Sequence, residues 1–249
     1  MKYKDMEKLM TIIYGISDLH LSLNEYFRSE GAEATEHKPM EIFGEHWRRH
    51  TRRIFENWNR TVAEDDVVLM PGDISWAMNL KDTVYDFDYL ARLKGRIIIC
   101  RGNHDYWWTT ARKMERYLTE NGFDTMHILH NNACMVGDYA LCGTRGWPFD
   151  DTNAQDAKIM AREAGRLRMS LQAGGSAQKI AFLHYPPVYP GGCAQPLVDI
   201  LHEFGVQQCY YGHLHGKSIR GAIQREVDGI RYKLVSADGL HFCPYKICD

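Results

Sequence analysis

Five short motifs in the chain carry side chains of the kinds that hold metal ions: Asp18-Leu19-His20, Gly72-Asp73, Gly102-Asn103-His104-Asp105, the isolated His184, and Gly212-His213-Leu214-His215. Imidazole, carboxylate and amide oxygen without thiolate make a donor set for divalent ions such as Mn²⁺, Fe²⁺, Co²⁺, Ni²⁺ or Zn²⁺. In extended backbone alternate side chains share one side, so Asp18 with His20, and His213 with His215, can each serve a single ion. Glycines before Asp73, Asn103 and His213 permit tight turns and close backbone approach to a buried ion. Two such ions roughly 3.5–4 Å apart generate a hydroxide nucleophile and clamp both oxygens of an in-line phosphoryl displacement. Singly, each of these residues reads as a capped strand end or a satisfied polar group; together they point to a metal centre.

The motifs share a setting. Thr11 to Ile16, Val67 to Met70, Arg96 to Cys100, Lys179 to Leu183 and Gln208 to Tyr211 are apolar runs of strand length, and each ends abruptly at one of the motifs. In open α/β sheets ligands bind beyond the carboxyl ends of strands, where loops converge. Helical spacing fills the intervals, with helices expected over 40–63, 80–93, 110–121, 153–171 and 196–204. The alternation predicts a layered α/β domain. Residues 133–142 and 219–236 alternate and carry turn residues, which predicts antiparallel strands after the mainly parallel ones.

The composition bounds the reading. A chain of 249 residues, 45% apolar and 25% charged, has the make-up of an ordinary globular protein and is expected to form one domain over residues 1–249. A formal charge of -2 offers no broad attraction to nucleic acid or anionic membrane, so an anionic substrate must be drawn in locally. The seven cysteines are odd in number and form no CxxC pair, which favours reduced thiols. In a tight hairpin turning at Gly137-Asp138, Cys134 faces Leu141 and Cys142 faces Ala133, so those two thiols are not partners. The first apolar run is too short for a signal-peptide core, and no stretch reaches the roughly 18 apolar residues of a membrane span. With the thiols, this points to the cytoplasm.

In order and in residue type, the five motifs resemble those of the calcineurin-like metallophosphoesterase superfamily, across residues 18–215. The resemblance implies two mixed β-sheets packed together and flanked by helices. It implies that Asp18, His20 and His215 hold one ion, that Asn103, His184 and His213 hold the other, and that Asp73 bridges them. It implies further that His104 lies by the scissile phosphate as a catalytic residue rather than a ligand, with Asp105 orienting it. The implied activity is hydrolysis of a phosphomonoester or phosphodiester of a small molecule by a metal-bound hydroxide. A nuclease, and a non-catalytic scaffold of the same fold, are the rival readings; the near-zero net charge disfavours the first and the complete motif set the second. One departure stands out. Many members carry an acid three positions after the bridging aspartate, often followed by arginine, and this chain has Trp76 and Ala77. Arg101 and Arg145 are the substitutes the sequence offers for the phosphate contact.

Other features have two readings. Tyr106, Trp107 and Trp108, with Trp76 and Trp147, either wall a substrate site or pack the start of a helix. Arg48, Arg49, Arg52 and Arg53 are expected on a solvated helix face. Residues 21–63, a polar loop and the tryptophan-bearing helix, form either a substrate-selecting cap or a peripheral packing element. His37, His46, His50, His127, His130, His202, His241 and Cys193 have no assigned role.

Overall fold

The computed structural model describes residues 11–29, 35–148 and 154–248. Part of the 21–63 insertion and the expected helix start at Asn153 lie outside these residues. In chain order the strands are β1 (Ile13–Gly15), β2 (Val67–Met70), β3 (Arg96–Ile99), β4 (Met126–Ile128), β5 (Cys134–Val136), β6 (Tyr139–Thr144), β7 (Gln178–Leu183), β8 (Val188–Tyr189), β9 (Gly192–Cys193), β10 (Gln208–Tyr211), β11 (Glu226–Val227), β12 (Ile230–Leu234) and β13 (Tyr245–Cys248). The α-helices are α1 (His50–Thr61), α2 (Val84–Ala91), α3 (Ala111–Glu120), α4 (Ala154–Ala173) and α5 (Gln195–Glu203).

Two mixed sheets are present, ordered β13-β1-β2-β3-β4 and β11-β12-β10-β7-β6-β5. Their central strands are apolar on both faces because both faces are covered. Along β2, Val67 and Leu69 pack between the sheets, while Val68 and Met70 face α1 and its neighbours. Along β7, Ile180 and Phe182 join the same inter-sheet core, while Ala181 and Leu183 pack with residues of α4 and α5. The period of two thus sorts consecutive residues into different layers. Among the described residues no helix is long and apolar enough to cross a membrane.

Several local expectations are corrected. The helix expected over 40–63 is two short 3-10 turns, Met40–Phe43 and Glu45–Trp47, followed by α1. Gly44 at φ 139° separates the turns and Arg49 at φ 56° breaks the chain again, so helical spacing of apolar residues runs through segments that are not one helix. The 133–142 region does form the β5–β6 hairpin with Cys134 opposite Leu141, and the cysteines are unbridged. The 219–236 region likewise holds the antiparallel β11–β12 pair expected of it, while β6 and β12 also pair in parallel with β7 and β10; β13 and the small β8–β9 ribbon supply the other antiparallel pairs among the named strands. Alternation reports a half-buried strand and says nothing of its neighbour's direction. Arg52, expected on a solvated face, is buried and donates to the Arg28 carbonyl at 3.0 Å and to the Ser29 carbonyl.

Candidate metal centre

Loops after β1, β2, β3, β7 and β10 bring all seven expected ligands to one edge of the paired sheets. The loop after β1 is stitched to the loop after β2: Asp18 N–H donates to the Gly72 carbonyl at 2.9 Å, His20 N–H to the Asp73 carbonyl at 3.0 Å, and Leu21 N–H to the Ile74 carbonyl at 2.9 Å. It is stitched equally to the second sheet, since Ser17 N–H donates to the Val235 carbonyl at 2.8 Å and Ala237 N–H to the Ser17 carbonyl at 2.9 Å. The extended Asp-x-His backbone expected from the spacing is not what forms. Asp18, His20, Asp73 and His213 have φ of 59°, 50°, 53° and 74°. Left-handed backbone at a non-glycine residue costs about 1–3 kcal/mol and persists where surrounding contacts over-determine it, as these do.

The glycines serve as expected. A Cβ on Gly102 would lie 2.1 Å from Asp73 Oδ1, and one on Gly212 would lie 2.4 Å from Asp18 Oδ2. Either methyl would displace a ligand.

The donors fall into two groups, Asp18, His20 and His215, and Asp73, His184 and His213, the donor atoms of each lying within 4.8 Å of one another. In the first, His215 Nε2 is 3.1 Å from Asp18 Oδ1 and 3.3 Å from His20 Nε2. In the second, the Asn103 Oδ1 lies 2.6 Å from His184 Nε2 and 2.9 Å from His213 Nδ1. Asp73 Oδ2 stands between the groups, 3.9 Å from His20 Nε2 and 3.5 Å from His184 Nε2.

This set fits divalent cations. Asp18, Asp73 and Asp105 are buried together, and burial with the charges of Asp18 and Asp105 pushes the Asp73 carboxyl well above its ordinary range. Such crowding calls for positive charge between the carboxylates. Burial keeps His20 and His184 neutral, the latter near 3, which leaves their ring nitrogens free as donors. Burial also works against a charged His215, yet Asp18 and Asp238 raise it to about 10. Cationic charge is favoured at that spot. The imidazoles are held from behind, as ligating histidines commonly are: His184 Nδ1 meets the Pro71 carbonyl at 3.0 Å and His215 Nδ1 meets Asp238 Oδ1 at 2.9 Å. Asp18 is fixed by the Ser17 hydroxyl, the Ser236 hydroxyl at 3.0 Å and the His213 N–H at 3.0 and 3.1 Å.

His104 projects beside the centre. Its backbone N–H donates to Asp73 Oδ1 at 2.7 Å, and its half-buried ring meets the Tyr106 hydroxyl at 3.4 Å and the Trp76 indole. Desolvation and the neighbouring Lys38 ammonium push this imidazole below the ordinary histidine range. Asp105 has a different set of partners from the one the resemblance implies. Its buried carboxylate accepts N–H groups of Gly102 at 2.7 Å, Asp73 and Ile74 at 2.9 Å, Ser75 at 3.4 Å and the Trp107 indole at 3.1 Å. It orders the backbone that carries Asp73.

Arg145 pairs with Glu163 at 3.5 Å, and with Arg101 and Arg166 it borders a small crevice that none of the seven ligands lines. The aromatic group divides in the same way. Trp107 and Trp108 pack in the core, Trp147 lies against Tyr185, and Trp76 and Tyr106 stand by the centre.

Asp238, Trp47 and Lys38 were not found from sequence. Asp238 had a signal: it follows the apolar run into Val235 just as the ligands follow theirs. Trp47, between the breaks at Gly44 and Arg49, lies 5.5 Å from the His215 ring and 6.0 Å from the His20 ring.

A family model described as calcineurin-like phosphoesterase matches residues 12–217. An uncharacterized protein of Methanocaldococcus jannaschii is 31% identical over 80 residues, which make up 32% of this chain and 42% of that relative. The match thus spans about two fifths of the length of that curated relative. Among solved structures, a protein of unknown function from Aquifex aeolicus aligns at TM-score 0.50 and 15% identity over 95% of each chain. The phosphopantetheinyl hydrolase of Mycobacterium tuberculosis aligns at TM-score 0.50 and 14% identity over 96% of each chain. At these identities the likeness is one of fold.

Proposed function

The chain belongs to the calcineurin-like phosphoesterase family, and from that premise we propose that it hydrolyses a phosphomonoester or phosphodiester of a small molecule at a dinuclear metal centre. Asp18, His20 and His215 would hold one ion and Asn103, His184 and His213 the other, with the Asp73 carboxylate available to both. The observation that carries the reading is the division of the donors into two adjacent groups with the Asp73 carboxylate between them. A bound pair of divalent ions supplies an activated water and positive charge for the phosphoryl oxygens.

The chain's own residues do the rest. Asp105 fixes the turn that presents Asp73, and Asp238 holds His215 with Nε2 toward Asp18 and His20. His104 reaches the ester from outside the ligand set. An anionic phosphoryl group beside it offsets the Lys38 charge and raises its proton affinity, so the imidazole can donate a proton to the departing alkoxide. Trp76 and Tyr106, rather than an acid, set its orientation. The described residues of the 21–63 segment act as a cap, with Met40, Phe43 and Trp47 beside the centre.

The test is hydrolysis of p-nitrophenyl phosphate and bis-p-nitrophenyl phosphate in Mn²⁺. Activity on either ester, abolished by chelation and lowered on the order of 10²–10⁴-fold in kcat by His104→Ala, supports the reading. A protein inert with every divalent ion contradicts it. The ratio of the two esters assigns the bond type.

A further inference from the structure

The metal centre opens into a cavity of about 710 Å³, bordered on the centre's side by His20, His104 and His215. That volume falls within the range of sites that enclose whole small molecules, roughly 300–1,000 Å³, and is far more than a phosphoryl group fills. Besides the histidines, its walls are largely apolar: Met40, Phe43, Trp47 and Trp76. Phe43 is 56% exposed, an aromatic ring presented to solvent beside a polar centre. Trp47 and Trp76 are held rigid by their neighbours, Trp76 by the His20 ring stacked at 4.9 Å and the Lys38 ammonium 3.1 Å from its centre.

The cavity is also lined by the 3-10 turn Gly216–Gly221, which contributes Lys217 and Arg220. Both are exposed, and neither has an ion pair among the described residues. The acids on the facing turns are engaged elsewhere, Glu41 with the Arg49 N–H at 3.3 Å and Glu45 with Arg48 at 3.2 Å. Asp238 is committed to His215 and to the Gly216 N–H. In a chain of formal charge -2, two cations with no ion pair among the described residues therefore line the same partly apolar cavity as His20, His104 and His215. Arginine's planar fork suits carboxylate and phosphate, and lysine adds a point charge.

Resting on the phosphoesterase reading above, we propose a substrate class: an organic phosphate ester whose alcohol portion has a bulky apolar or aromatic body and carries a second anionic group received by Lys217 and Arg220. The apolar body lies along Met40 and Phe43, and the anion settles at the Gly216–Gly221 turn. The ester phosphate meets the ions and His104. Simple phosphorylated sugars and inorganic phosphate fill only part of this site.

The experiment compares phenyl phosphate, naphthyl phosphate and naphthyl phosphate bearing a ring sulfonate. KM is expected to fall about tenfold from the first to the second and about fivefold more with the sulfonate. In the Lys217→Ala, Arg220→Ala double variant the sulfonate advantage shrinks to about onefold, and in Phe43→Ala the naphthyl advantage shrinks instead. Binding is read separately from turnover by quenching of tryptophan fluorescence in metal-free protein. Sulfonated naphthol is expected to bind it at least about fivefold more weakly in the double variant. Equal KM for all three esters, or a sulfonate advantage that survives the double variant, overturns the proposal. Inactivity toward all three esters with sulfonated naphthol still bound contradicts the phosphoesterase reading and leaves the cavity's preference standing.

Discussion

The indole of Trp76 lies 4.5 Å from the imidazole of His104, centroid to centroid, at the position where related enzymes often carry an acid. A ring cannot charge-pair with the histidine, so it positions it by packing. Truncation should therefore impair the chemical step more than metal binding. We expect Trp76→Ala to lower kcat by about 10- to 100-fold with metal content retained, because displacement of a reacting group by about 1 Å can cost 10²-fold. Trp76→Phe should recover most of that loss. Steady-state kinetics with metal analysis of each variant checks both.

Asp105 is a scaffold for Asp73. Its carboxylate receives four backbone N–H groups and the Trp107 indole in a fully buried position, and Asp105→Ala leaves those donors without partners. Destabilisation of about 3 kcal/mol or more is expected in urea unfolding of the metal-free protein. Asp105→Asn keeps one acceptor oxygen and should lie between. An Asp105→Ala variant as stable as wild type would refute this role.

Asp238 holds the Nδ1 of His215 at 2.9 Å and accepts the Gly216 and Gly239 N–H groups. Partners of this kind typically tune metal affinity by 10- to 100-fold. Asp238→Asn should weaken Mn²⁺ or Zn²⁺ binding by about that factor in a chelator competition, with the ion at Asn103, His184 and His213 affected less.

Asp86, on α2, is buried far from solvent, accepting the Leu23 N–H at 2.8 Å and the Ser75 hydroxyl at 2.5 Å. Burial raises its carboxyl to about 7, the two hydrogen bonds only partly opposing the rise. The folded protein therefore binds the proton more tightly than the unfolded chain. The stability this contributes is complete below the unfolded value near 4 and is lost as pH rises through about 7. Relative to Asp86→Asn, which keeps the shape and carries no charge, wild-type stability should decline by about 2–3 kcal/mol between roughly pH 5 and pH 8. Denaturant unfolding at the two pH values measures it, and a pH-independent difference would refute it.

What the sequence disclosed, and what it hid, follows from the range of each interaction. β1, β2, β3, β7 and β10 are covered on both faces, so they appear as unbroken apolar runs, and the abrupt polarity at each end marks the edge where Asp18, Asp73, Asn103, His184 and His213 gather. Features fixed by distant partners were illegible. Asp18 and His20 adopt left-handed backbone because the loop after β2 and the end of β12 hold them there, and no local pattern encodes that. β12 reads as antiparallel and is so to β11, its neighbour in sequence, whereas its parallel pairing with β10 lies across a connection that no local pattern encodes. The break at Gly44 and Arg49 interrupts a spacing that reads as a continuous helix, and Trp47, beside His215, lies between those two residues.

The roles proposed for the site all depend on hydrolysis running on two ions with Asp73 between their ligands. The most direct test is to titrate metal-free protein with Mn²⁺ while following p-nitrophenyl ester hydrolysis, in wild type and in Asp73→Ala. The rate is expected to rise and saturate at about two equivalents in wild type, and to stay at background in the variant. A rate independent of Mn²⁺, or a variant that follows the wild-type curve, would contradict it.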